Sequence, residues 1–246
     1  MSGHSKWANI KNKKAKTDAA KGKIFTKLGR EIAVAAKQGG DPNTNSKLAD
    51  VIAKAKAANM PNDNIKRSIL KATGELGNVN YENLVYEGYG IGGSAVIVSS
   101  LTENKNRTVG EVRHIFDKYG GSLGTTGSVS FMFENRGVLV IERTVELDED
   151  TIMELALDSG ADDVITEEDV YEIRTAPAAF SGVRKYFEDR GYVFIEASIQ
   201  MVPNDKITLN PDQLVTFNKM LDAFDDNDDV QDVYHNVELP EEEDED

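Results

Sequence analysis

The sequence predicts an α+β fold of three domains, an N-terminal helical domain followed by two ferredoxin-like α/β domains, the third inserted into the second. Three observations carry this prediction. The first 75 residues show apolar spacing of helical period and no strand pattern. After them, strand and helix patterns alternate, and one complete β-α-β-β-α-β series stands between two incomplete halves. The charge divides at the same place: residues 1–75 hold 16 Lys and Arg against 6 Asp and Glu, a net of +10, while the remainder carries −25 within a total of −15. A cationic segment inside an acidic protein marks a place where polyanions land, with the rest of the surface repelling them.

The elements follow in order. Residues 1–17 are polar and basic with few apolar anchors, which predicts a flexible arm. From Asp18 a helix begins, with Ile24, Leu28 and Ile32 on one stripe beside Phe25. Lys23, Lys27, Arg30 and Lys37 fall on the opposite side, where packing is expected to make no use of them. Gly39-Gly40 stops the helix and Asp41-Pro42-Asn43 turns the chain. A second helix turns Leu48, Val51, Ile52 and Ala55 inward. Pro61 suits the start of a third, whose Ile65, Ile69 and Ala72 face in and whose Lys66, Arg67 and Lys71 face out, with Gly74 placed to end it.

Beyond the head, 95–98 reads as a buried strand, 109–119 as a helix and 129–133 as an alternating strand. The complete series comes next: a strand at 138–141, a helix at 150–159, two short strands within 163–174, a helix at 178–189 and a strand at 192–199. The missing half of the first unit then appears as a strand near 206–209, a helix at 211–224 and a strand at 230–235. The expected boundaries are therefore 1–77 for the head with its arm, 78–134 plus 204–238 for a split α/β domain, and 135–203 for the inserted one. Residues 239–246, ending in six consecutive acids, make a disordered tail.

Several chemistries are tested and set aside. The chain has no cysteine, which removes disulfides, thiolate metal sites and a Cys nucleophile. No run approaches the roughly 20 apolar residues of a membrane helix, and the basic N-terminus lacks the apolar core of a secretory signal. A cytoplasmic protein with no membrane partner is expected. Gly88-Tyr89-Gly90-Ile91-Gly92-Gly93 matches a dinucleotide pattern literally, yet a β-branched strand follows where a helix should receive the pyrophosphate. Gly120-Gly121 and the stretch from Gly124 to Gly127 have the composition of a phosphate cradle, but no lysine accompanies them, and turns explain them better. Asp225-Asp226-Asn227-Asp228-Asp229 opens like a calcium loop but places Val230 where glycine is needed and Asn236 where a bidentate Glu is needed. His4, His114 and His235 are scattered. Neither a zinc helix nor a nucleophile elbow occurs. The expectation is a non-enzyme with no catalytic, cofactor or metal site.

The basic head passes the same scrutiny better. His4, Lys6, Trp7, Lys11, Lys13, Lys14 and Lys16 lie on the arm, Lys21, Lys23, Lys27 and Arg30 along the first helix, and Lys66 and Arg67 on the third. Lysine offers compact charges for phosphate oxygens without reading bases, and Trp7 is suited either to stack on an exposed base or to anchor the arm. In the acidic body, Asn104, Asn106, Arg107, Arg113 and His114 gather around one helix start. They are candidates for contact with a partner or a cleft between domains, although capping accounts for the asparagines and Thr108.

The strings Gly3-His4-Ser5-Lys6-Trp7, Gly22-Lys23-Ile24-Phe25-Thr26-Lys27, Asn59-Met60-Pro61 and Tyr86-Glu87-Gly88-Tyr89-Gly90 resemble the YebC family. So do Asn106-Arg107-Thr108-Val109, Glu111-Val112-Arg113-His114, Gly127-Ser128-Val129 and the stretch from Asp228 to Asn236. The resemblance runs from residue 2 to about 237 and omits only the acidic tail. It implies a three-domain cytoplasmic protein. Bacterial members have been described as DNA-binding transcriptional regulators; others act in translation, among them a mitochondrial translational activator and factors that relieve ribosomes stalled on proline-rich stretches. The expected partner is thus nucleic acid, ribosomal RNA or DNA, with the ribosome as the favoured assembly. A regulator of transcription is the runner-up, and a protein-interaction module acting through the α/β domains the third choice. A monomer is expected.

Overall fold

The computed structural model describes residues 18–74, 80–145 and 147–240, with side chains described from residue 22 onward. The arm at 1–17 and the acids at 241–246 lie outside the described residues. Three helices make the head: α1 (Asp18–Ala36), α2 (Ser46–Ala57) and α3 (Asn62–Ala72). Their stripes meet in one core, with Leu28, Ile32, Leu48, Ala55 and Ile65 buried. Asn45 fixes the corner between α1 and α2. Its side-chain oxygen accepts from the Leu48 N–H at the start of α2, and its amide donates to the Ala35 and Gly39 carbonyls at the end of α1. Pro61 occupies the N-cap position of α3.

The body holds two four-stranded antiparallel sheets. The inserted unit runs β4 (Phe133–Glu142), α5 (Glu149–Ser159), β5 (Asp163–Thr166), β6 (Val170–Thr175), α6 (Phe180–Glu188) and β7 (Phe194–Pro203). Its sheet order, β7-β4-β6-β5, places the fourth strand beside the first and the third between first and second. That is the ferredoxin-like plan. Leu139, Ile141, Tyr171 and Ile173 on one face of the sheet pack with Ile152, Ala156, Val183 and Phe187 from the two helices.

The split unit reaches the same plan by a different chain order. It consists of β1 (Glu82–Tyr89), β2 (Ala95–Thr102), α4 (Lys105–Lys118), β3 (Ser122–Leu123), α7 (Pro211–Asp225) and β8 (Val230–His235), with sheet order β8-β2-β1-β3. Starting from β2, this is again fourth-first-third-second, with β1 supplying the third strand from ahead of the unit. Two expectations are corrected here. The strand expected near 206–209 is only a single parallel bridge, Ile207 to Val237, because β1 already fills the slot and pairs with β2 across all eight residues. The strand expected at 129–133 is a 3-10 turn, Ser130–Met132, that leads into β4 and leaves Phe131 71% exposed. The remaining expected elements lie where periodicity places them, with ends shifted by up to five residues, whereas β1 and β3 had no counterpart in the sequence pattern.

β2 is buried on both faces, which explains its uninterrupted Ala95-Val96-Ile97-Val98 run. Val96 and Val98 face Phe116 of α4 and Phe217, Met220 and Phe224 of α7. Ala95 and Ile97 face Val129, Phe133, Met201 and Tyr234, where the two sheets adjoin.

Candidate nucleic-acid interface

The cationic face of α1 is not left free in solvent, although Lys23 and Lys37 on it stay exposed. It lies against the C-terminal end of α7 and the acidic run that follows. Lys23 Nζ is 2.7 Å from Asp226 Oδ1, and Lys27 Nζ donates to the Asp225 carbonyl at 3.0 Å and to its carboxylate at 3.3 Å. Arg30 donates to the Leu101 and Asp228 carbonyls at 3.1 and 2.6 Å and to Asp229 Oδ1 at 2.8 Å. A helix C-terminus carries partial negative charge, so the end of α7 with its acids is a natural seat for cations. The expectation that packing makes no use of these side chains is thereby corrected: they dock the head onto the split domain.

Asp229 is the centre of that seat, with its side chain only 4% exposed. Besides Arg30, it accepts from Arg107 at 2.6 Å, Thr108 at 2.8 Å and Thr102 at 3.1 Å. Burial alone would raise its pKa, but the hydrogen bonds from Arg107, Thr108, Arg30 and Thr102 outweigh it and hold the carboxyl below the ordinary value. Residues of two strings quoted for the family resemblance, Arg107-Thr108 and Asp228-Asp229, thus meet at one carboxylate.

A second seat joins all three domains. Lys54 of α2 lies 3.1 Å from Glu31 of α1 and 3.9 Å from Asp232 of β8, with Glu196 of β7 contributing to its field. Burial disfavours the Lys54 charge, yet the attraction of Asp232, Glu31 and Glu196 keeps its pKa above the ordinary lysine value. Burial likewise raises Glu31, and Lys54 only partly offsets this. Nearby, Arg184 and Ser181 of α6 reach Asp50 of α2 at 2.8 and 2.7 Å. Neither contact could be paired from the sequence.

The glycine-rich stretch does cradle an anion, and that anion belongs to the protein. The buried Glu87 carboxylate accepts from the Gly127, Val129 and Ser130 N–H groups at 2.8, 2.9 and 2.7 Å. Burial opposes the charge, but these backbone donors lower the Glu87 pKa overall. Gly88 lies over Phe116, and Gly90 and Gly92 approach Ser94 and Leu209, so the dinucleotide-like pattern is a set of close backbone approaches.

The other predicted residues are placed as follows. His4, Lys6, Trp7, Lys11, Lys13, Lys14 and Lys16 lie outside the described residues, as does the side chain of Lys21. Lys66 and Arg67 are exposed on α3, opposite its buried Ile65. With Lys47, Lys56 and Lys71 they are exposed cations of the head that make no ion pair among the described residues. Asn104 caps α4 by accepting from the Arg107 N–H. Arg107 reaches Asp229 at the seam with the head, whereas Asn106, Arg113 and His114 are exposed. Among the described residues no three His, Asp or Glu side chains stand as a metal-binding group, and no helix is long and apolar enough to cross a membrane.

Comparison with known proteins accounts for nearly the whole chain. Residues 5–75 match the model of the TACO1/YebC protein N-terminal domain, and residues 81–237 match that of the TACO1/YebC second and third domain. The chain belongs to the TACO1/YebC family. A TACO1/YebC relative from Acetivibrio thermocellus, named a probable transcriptional regulatory protein, is 61% identical over 96% of this chain and 98% of its own. Another of that name from Thermoanaerobacter pseudethanolicus is 55% identical over the full length of both. The crystal structure of a conserved hypothetical protein from Aquifex aeolicus superposes with a TM-score of 0.82 at 42% identity, covering 93% of this chain and 94% of the other. The two chains therefore share one fold over nearly their whole length.

Proposed function

We propose that this protein regulates gene expression in the cytoplasm without catalysis, holding the phosphate backbone of RNA, on the ribosome, with its basic head. The observation that carries this reading is the set of exposed cations on the head that make no ion pair among the described residues: Lys47, Lys56, Lys66, Arg67 and Lys71. Four of the five are lysine, which suits backbone holding better than base reading. The names of the relatives point to gene expression, and the sequence of residues 1–17 adds further cations, mostly lysine. The acidic body would face protein neighbours more readily than bare nucleic acid. The test is sedimentation of ribosomes with the wild type and with a variant carrying alanine at Lys11, Lys13, Lys14, Lys16, Lys66 and Arg67. Co-sedimentation should be lost in the variant; equal recovery of both, or of neither, would overturn the reading.

The relatives' names also favour a second reading, binding to duplex DNA. Neutralising about 6 phosphates would give a slope near −5 in log affinity against log salt. A promoter-to-random affinity ratio of one in a competition assay would remove it.

A further inference from the structure

We propose that the acidic run at 225–229 is an internal competitor for phosphate: it masks the cationic face of α1, so that a polyanion on α1 and the head's contact with that run exclude each other. This inference concerns regulation and rests on the reading of the head as a nucleic-acid-binding domain.

The geometry supports it in three ways. First, Lys11, Lys13, Lys14 and Lys16 directly precede α1 in the sequence, and Lys23 and Lys27 continue that run of cations along the chain. Second, the oxygens facing α1 resemble those of a phosphodiester chain. They are carboxylates and carbonyls in succession, with Asp226 on Lys23, Asp225 on Lys27, and Asp228 and Asp229 on Arg30. Third, the contacts are graded. The Lys23–Asp226 pair is open to solvent on both sides and screened by salt, whereas Arg30–Asp229 is nearly closed off. A polyanion can therefore exchange with the carboxylates from the arm end of α1 inward, taking Lys23 and then Lys27. Displacement of Arg30 would open this seat, leaving the contacts of Lys54 and Asp50 to hold the head.

The test is the affinity of a fluorescent single-stranded 20-nucleotide RNA for the full chain in about 100 mM salt. Asp225→Asn with Asp226→Asn is expected to tighten binding at least fivefold. A control, Glu154→Gln with Asp158→Asn on the exposed face of α5, changes net charge equally and should give less than twofold. Adding Lys23→Ala and Lys27→Ala to the first variant should abolish its gain. Equal gains in variant and control, or a gain that survives removal of both lysines, would overturn the inference while leaving the proposed function standing. Absence of RNA binding by every protein at about 50 mM salt would sink both.

Discussion

Arg30 and Asp229 are 199 positions apart in the chain and 2.8 Å apart in the fold, and the same carboxylate also receives Arg107. One buried charge thus meets a cation from the head and a cation from the split domain. Removing one member of such a set leaves charges facing one another without compensation.

Replacement of Asp229 by Asn should therefore cost about 3 kcal/mol, as expected when a buried pair is broken from one side. Urea denaturation at pH 7 measures it. A loss below about 1 kcal/mol would mean that the two guanidiniums find other acceptors.

The same residue sets a pH dependence. Asp229 and Glu87 are both held below the ordinary carboxylate value in the folded chain. Their stabilisation is complete above the unfolded value near pH 4 and is lost as pH falls through the lower folded values. Stability should therefore rise as pH climbs from the lowered folded values toward the unfolded value of about 4, and Asp229→Asn should flatten that rise. An unchanged profile would show that other carboxylates govern acid unfolding.

At the three-domain junction the signs are opposite. Glu31 is raised mainly by burial, so its contribution is present below the unfolded value and is lost as pH rises through the folded one. Glu31→Gln keeps an acceptor for Lys54 and should cost less than about 1 kcal/mol at pH 7. Lys54→Met leaves Glu31, Asp232 and Glu196 facing one another and should cost about 3–5 kcal/mol. Combining the two should recover part of that loss, read from thermal or urea melts.

In β1, Gly88→Ala would set a Cβ 2.6 Å from the Ser122 carbonyl and 2.9 Å from the Phe116 ring. Strain of about 1–3 kcal/mol is expected, since neither backbone nor a buried ring yields easily. A melting temperature equal to that of the wild type would contradict this packing.

These particulars also show what the sequence made legible. β2 was readable because burial on both faces leaves an unbroken apolar run, and α4 and α7 because their stripes have helical period. β1 was not. One of its inward positions is Gly88, which makes room for Phe116, and its buried Glu87 serves the loop at 127–130, so no alternation survives in Glu82-Asn83-Leu84-Val85-Tyr86-Glu87-Gly88-Tyr89. The 206–209 stretch has strand composition but no vacant place in a sheet whose third strand arrived earlier in the chain. The α1 cations were found correctly as a face. A helical wheel shows which residues share a side but is silent on what lies opposite them, and here that is a segment about 200 residues later.

The distance between Arg30 and Asp229 also orders events during synthesis. The head leaves the ribosome first, and domains at the N-terminus generally fold before the rest of the chain exists. Its seat, together with the strand β8 that closes the split sheet, comes last. Until residue 229 emerges, every nascent copy displays α1 without its cover. A newborn chain thus shows a more cationic head than the finished protein, and the last tenth of the sequence, which holds residues 225–229, removes that difference.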